Sequence, residues 1–112
     1  MLFKQEHKQM ILDGRKTATR RAWKKPMVKV GGIYKCKLQM LSKKYFAKIQ
    51  VTKLYKQCLG DMTKKDANKE GYELLRHFYK IWVEINKEWI PLQEVYVIEF
   101  ELIKSSSTEN KW

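Results

Sequence analysis

No stretch of this chain approaches the ~20 apolar residues that a membrane-spanning helix requires, so no helical span is expected. The opening MLFKQEHKQM carries charge from residue 4 and lacks the apolar centre of a signal peptide. The expectation is a soluble, cytoplasmic chain with no membrane partner. Cysteine is nearly absent: Cys36 and Cys58 lie far apart and form no CxxC pattern. With only two histidines beside them there is no metal-ligand spacing, and neither a metal nor a cofactor is expected. The GxxxxGK[ST] pattern that cradles triphosphates is missing as well. Two prolines and five glycines leave no linker long enough to divide the 112 residues, and no internal repeat is visible.

Carboxylates are scarce in one half only. Residues 1–60 hold 16 lysines and arginines against Glu6 and Asp13, whereas residues 61–112 hold eight against ten carboxylates. The formal excess of +12 therefore resides in the first half. A concentrated positive field draws polyanions and raises their encounter rate. The competing explanation is a lysine-coated surface kept soluble by repulsion, as in proteins from hot environments. With 44% hydrophobic and 32% charged residues the composition is globular. A chain of this length can bury roughly two-thirds of its unfolded surface in a single core.

The spacing of Phe3, His7, Met10 and Ile11 predicts a helix over Leu2 to Asp13, stopped by Gly14. Residues 14–23, GRKTATRRAW, read as a short strand or extended segment, and Pro26 and Gly31-Gly32 punctuate the stretch after it. Ile33 to Met40 alternates, with Tyr34, Cys36, Leu38 and Met40 facing inward. Tyr45 to Leu54 alternates after a turn near Ser42, and the two runs predict an antiparallel hairpin with lysines on its solvated face. Thr63 and Asp66 predict a capping box on a short helix that Gly71 ends. A second helix over Glu73 to Ile85 carries an apolar stripe of Leu74, Leu75, Phe78, Ile81, Trp82 and Ile85. Val95 to Ile103 is the last strand, with Tyr96, Ile98, Phe100 and Leu102 on one face; Glu99 and Glu101, on the other, are placed to pair with lysine-bearing strands. Residues 1–104 form the expected domain, and residues 105–112 a polar, disordered tail. Strands and helices do not alternate regularly, so the fold class is α+β: a small, mostly antiparallel β-barrel flanked by helices.

The segment Gly14 to Arg21 holds four cations and two hydroxyls. In extended chain Arg15, Thr17 and Thr19 share one face, and Lys16, Ala18 and Arg20 the other. A bend at Gly14 or Arg15 would bring Lys16 and Thr19 together; without it the run is a solvated basic strand. Candidate phosphate contacts are Arg15, Arg20, Arg21, Lys24 and Lys25, with Lys43, Lys44 and Lys48 on the hairpin. Trp23 and Tyr45 lie among them, placed either to stack on bases or to cover the rim of the barrel. Glu70 closes a short helix just before Gly71, where a carboxylate opposes the helix dipole. That local cost points to a cationic partner elsewhere in the fold, unless the residue is simply exposed.

Five runs in order, F…ILDGRKTATRR, KVGGIYKC, FAKIQVTKLYKQCLGDMT, DANKEGY and F…IW…VYVIEFE, resemble the ASCH domain family of the PUA-like superfamily over about residues 3–102. The GRKTATR run is the most specific of them. Gly32 departs from the family's acidic residue in the VGD turn. The resemblance implies a PUA-like β-barrel with a cleft between flanking helices, and a role in RNA metabolism. The partner it implies is nucleic acid, RNA ahead of DNA, or a modified nucleoside, bound by a chain that is monomeric by default. Some relatives are understood as RNA-binding modules, and ribonuclease activity has been attributed to some. Others are amidohydrolases that remove an acyl group from the exocyclic amine of N4-acylcytidine. In those hydrolases a lysine and a threonine of the GRKTxT run and a later glutamate are the working residues; the matching positions here are Lys16, Thr19 and Glu70. RNA binding in a basic cleft is the expected function, with hydrolysis as the alternative.

Overall fold

A computed structural model describes residues 1–105; the expected tail lies outside the described residues, apart from Ser105, which closes the last strand. The four strands are β1 (Ala18–Arg21), β2 (Ile33–Cys36), β3 (Ala47–Cys58) and β4 (Glu94–Ser105). The helices are α1 (Gln5–Leu12), α2 (Lys64–Lys69) and α3 (Leu75–Asn86), with a 3₁₀ turn at Leu59–Asp61 before α2. All strand pairs are antiparallel, in the order β1-β4-β3-β2. Register breaks in β3 between Lys48 and Ile49 and between Val51 and Lys53 add local twist. The sheet curls into a half-barrel with the helices at its flanks, as the α+β expectation required.

β4 is the hub, bonded to both β1 and β3. Ile98 and Phe100 pack with Val51 and Ile49 inside the half-barrel. Val95, from the opposite face, packs against Leu59, Ala67, Phe78 and Trp82 and so carries α2 and α3. The single apolar face expected for this strand is thus half of the picture, since Val95 and Val97 are buried as well. Leu102, expected inward, is 40% exposed near the strand's end.

Several boundaries differ from the sequence pattern for one reason: long-range pairing claimed the residues first. Phe3 and Leu2 are extended rather than helical, because the Phe3 N–H bonds the Lys37 carbonyl at 2.8 Å and Lys37 N–H the Met1 carbonyl at 2.8 Å. α1 starts only at Gln5, yet Phe3 is buried all the same. β2 ends at Cys36, which already faces Ala47 in β3. Residues 38–40 have no strand left to pair with, and Met40 swings out to 72% exposure. The capping box on α2 is present: Thr63 Oγ1 accepts from the Asp66 N–H, and Asp66 Oδ2 accepts from the Thr63 N–H. Glu99 lies opposite Lys53 in register, but its carboxylate takes Lys69 at 3.4 Å and the Tyr55 hydroxyl at 2.8 Å.

Candidate functional site

Two glycines bend the chain so that three distant residues meet. Gly14, at φ 83°, ends α1 and sends the chain back. The Lys16 N–H then bonds the Met10 carbonyl at 2.9 Å and the Thr17 N–H the Lys69 carbonyl at 2.7 Å, fixing this turn to the ends of α1 and α2. Gly71, at φ 101°, ends α2 at the same place; a Cβ there would stand 2.7 Å from Met10 Sδ and 3.5 Å from Lys16 Cβ. Both the backbone conformation and the close approach require glycine.

Lys16 and Glu70, each 2% exposed, meet where these turns touch. Lys16 Nζ donates to Glu70 Oε1 at 2.8 Å and to the Glu70 carbonyl at 3.3 Å. Arg20, from β1, donates through Nη1 to Glu70 Oε2 at 2.8 Å. Its Nε and Nη2 hold Gln57 Oε1 at 3.2 and 2.8 Å, and Nη2 stands 3.5 Å from Asp66 Oδ1. Of the two expectations for Glu70, a cationic partner or simple exposure, the structure shows the first, with two cations. Glu70 serves both, and Asp66 gives Arg20 a second carboxylate.

Burial lowers the Lys16 pKa, only partly offset by Glu70. Thr19, also buried, accepts a bond from Arg21 Nε at 3.2 Å. His7, from α1, contacts the Tyr72 hydroxyl through Nε2 at 2.7 Å. Burial, assisted by the charges of Lys16 and Arg21, lowers the His7 pKa to about 3, so its ring is neutral at physiological pH. Burial also pushes the Tyr72 phenol up, so the pair is uncharged.

These groups line a cleft of about 900 Å³ between α1, α3, β1 and the loop before β3. Lys16, Thr19, Glu70, Arg20 and Arg21 are on its wall, as are Lys44 and Tyr45. Phe78, Ile81, Trp82 and Ile85 of α3 give it an apolar side. The indole N–H of Trp82 is buried and finds no acceptor among the described residues.

The remaining candidates lie elsewhere. Arg15 is exposed and bonded to Asp13 at 2.9 Å. Trp23 packs on Tyr96 and the Val28, Val51 and Ile98 cluster, covering the core rather than facing the cleft. Lys24, Lys25 and Lys43 are exposed outside it. Lys48 and Lys35 place their ammonium groups 5.5 and 5.0 Å from the Tyr45 ring centre. Among the described residues no group of three or more His, Cys, Asp or Glu side chains is placed to hold a metal ion. Burial pushes the Cys36 thiol up to about 11, away from any ligand role.

His7, Tyr72 and Gln57 were not picked out from sequence as site residues. His7 did stand in the apolar stripe of α1, a polar group where none is needed. Tyr72 comes two residues after Glu70. Nothing local marks Gln57, whose role depends on β3 passing under Arg20.

A family model described as the ASCH domain matches residues 1–104. No curated protein matches. Among solved structures, protein EF3133 from Enterococcus faecalis V583 superposes with a TM-score of 0.71 at 18% identity, over 96% of this chain and 72% of its own. An ASCH domain from Lactobacillus crispatus JV V101 gives 0.63 at 19%, over 87% and 70%. The ASCH protein of Zymomonas mobilis gives 0.63 at 12%, over 94% and 69%. At such identities the likeness is one of fold.

Proposed function

We propose, from the premise that the chain belongs to the ASCH domain family, that its cleft holds a nucleotide of RNA, with the base between the neutral wall and the cationic one. The observation that carries this reading is the composition of the cleft: six lysines and arginines and a single carboxylate on its wall, facing an aromatic and aliphatic side on α3. Phosphate and sugar suit the first surface and a base face the second. Tyr45 lines the cleft with the ammonium groups of Lys35 and Lys48 over its ring, adding positive charge there. The test is fluorescence anisotropy with a short single-stranded RNA across a salt series. Binding that weakens steeply with salt supports the reading; binding insensitive to salt refutes it.

A second reading, hydrolysis of N4-acylcytidine, is favoured by one arrangement. Lys16, Thr19 and Glu70 line the same cleft, and the lysine is held in a desolvated place that favours its neutral form. In that reaction the Thr19 hydroxyl or a water attacks the acyl carbon while Lys16 Nζ accepts its proton. The C–N bond breaks, and the proton goes on through Glu70 to the leaving cytosine amine; where the Thr19 hydroxyl attacks, water then cleaves the acyl–threonine ester to release the carboxylic acid and restore the hydroxyl. Lys16→Ala should abolish turnover of N4-acetylcytidine, measured by chromatography; equal rates in both proteins would remove this reading.

A further inference from the structure

The cations of the cleft are not equivalent. Lys4 is neutralised by Glu84 at 2.7 Å, and Lys16 and Arg20 share Glu70. Lys8 and Lys44 also have no carboxylate among the described residues; Lys44 is exposed, and Lys8 is half-buried with no hydrogen bond to a described residue to fix it. Arg21 differs from all of these. It is partly buried in the wall, and no carboxylate among the described residues forms an ion pair with it. Its partners are neutral: Thr19 Oγ1 at 3.2 Å from Nε, the Leu2 carbonyl at 2.8 Å from Nη2, and the Phe3 ring, whose centre is 4.8 Å from Cζ. Nη1 donates to no described residue.

A cation drawn out of water without a counter-ion is unfavourable, and hydrogen bonds to neutral acceptors and an aromatic face offset this only in part. The adjacent carboxylates are already engaged, Glu70 by Lys16 and Arg20 and Asp66 by Arg20, so neither is left for Arg21. What the site lacks is an anion. A guanidinium fixed by Thr19, Leu2 and Phe3 presents a planar fork that matches two oxygens of a tetrahedral oxyanion, and its position is set before the ligand arrives.

We infer that Arg21, with Lys44 on the same cleft, is the seat of a phosphoryl group, either the terminal phosphate of a mononucleotide or a phosphodiester of a chain. The identity of the rest of the ligand rests on the nucleotide reading above; the anion site does not. Burial lowers the Arg21 pKa, and the more distant Glu70 carboxylate offsets this only in part.

Isothermal titration of the full chain with four probes tests this: cytidine, cytidine 5′-monophosphate, inorganic pyrophosphate and an oligocytidylate without terminal phosphate. Wild type should bind the monophosphate roughly ten- to hundred-fold more tightly than cytidine, the effect of one charge-assisted contact. Arg21→Met should remove that preference, leave cytidine binding unchanged and leave the Lys16 and Glu70 pair intact; Arg21→Lys should restore part of it. If the oligonucleotide depends on Arg21 as strongly, the group seated there is the phosphodiester; if only the monophosphate does, it is the terminal phosphate. Pyrophosphate binding that needs Arg21, with no binding of either cytidine compound, upholds the anion site while the nucleotide reading fails. A preference for the monophosphate that survives Arg21→Met overturns the inference. Should Arg21→Met not fold, the Nε–H resonance of Arg21 in wild type gives the answer: it should move on adding the monophosphate and stay still with cytidine. Movement with both to the same extent, or with neither, also overturns it.

Discussion

Glu70 and Lys16 form one ion pair, yet removing one or the other should have very different consequences. Their side chains are 3% and 1% exposed, and Arg20 on the far carboxylate oxygen is 1% exposed, so solvent screens none of them appreciably. Asp66, 3.5 Å from Arg20, balances the second cation, so the four side chains together carry no net charge. Glu70→Gln raises this to one and leaves Lys16 buried against a neutral amide, while Arg20 keeps only Asp66. Breaking a buried pair in this way costs about 3–5 kcal/mol. Lys16→Met leaves Glu70 paired with Arg20 at 2.8 Å, and it replaces a desolvated ammonium by an apolar chain of similar length. Such exchanges are commonly neutral, or stabilising by about 1 kcal/mol or more. A domain of this size has about 5–15 kcal/mol in total, so Glu70→Gln should remove a large part of it and lower Tm by roughly 10–20 °C. Urea unfolding at pH 7, monitored by tryptophan fluorescence, measures both variants against wild type. Equal losses, or a larger loss for Lys16→Met, would refute the idea that this carboxylate exists to hold two cations. The same pair separates stability from chemistry: Lys16→Met should remain folded whatever it does to turnover.

Three further outcomes rest on named contacts. His7 has a folded-state pKa of about 3, below the unfolded value near 6.5, so its neutral form contributes stability that is whole above that pH and lost as pH falls toward 3. The loss amounts to about 1.4 kcal/mol per pH unit in that window. The ring protons of His7 should accordingly not shift in NMR spectra between pH 7 and pH 5, and a titration near pH 6 would contradict its burial beside Lys16. Arg21, Lys8 and Lys44 are the lining cations without a carboxylate among the described residues, so the logarithmic salt slope for single-stranded RNA should be about −2, and Arg15→Ala should leave it unchanged. Gly71→Ala should cost about 1–3 kcal/mol in chemical denaturation, since it forces φ 101° on a residue with a Cβ and drives that atom onto Met10; a neutral effect would mean that the turn relaxes freely.

The hairpin, the two later helices and the last strand were legible because periodicity records which face of an element meets the core. The capping box and the glycine stops were legible because their geometry is local. The shortened ends of α1 and β2 were not, since the pairing of Phe3 with Lys37 and of Cys36 with Ala47 depends on segments that no window contains. The same division runs through the site. The sequence named Lys16, Thr19, Arg20, Arg21 and Glu70, but it offered Arg15, Trp23, Lys24 and Lys25 on equal terms, because charge count cannot tell a cleft wall from an outer face.

By itself, then, the order of residues determined the kind and order of the elements, the asymmetry of charge and the local cost of Glu70, since a carboxylate at a helix C-terminus opposes the helix dipole. Tertiary structure alone decided which cations answer it, that Trp23 covers the core while Arg21 lines the cleft, and that Arg21 forms no ion pair with a carboxylate among the described residues. Local preferences act over a turn or two of chain, whereas the electrostatics of a buried group are set by whatever the fold brings within a few ångströms of it.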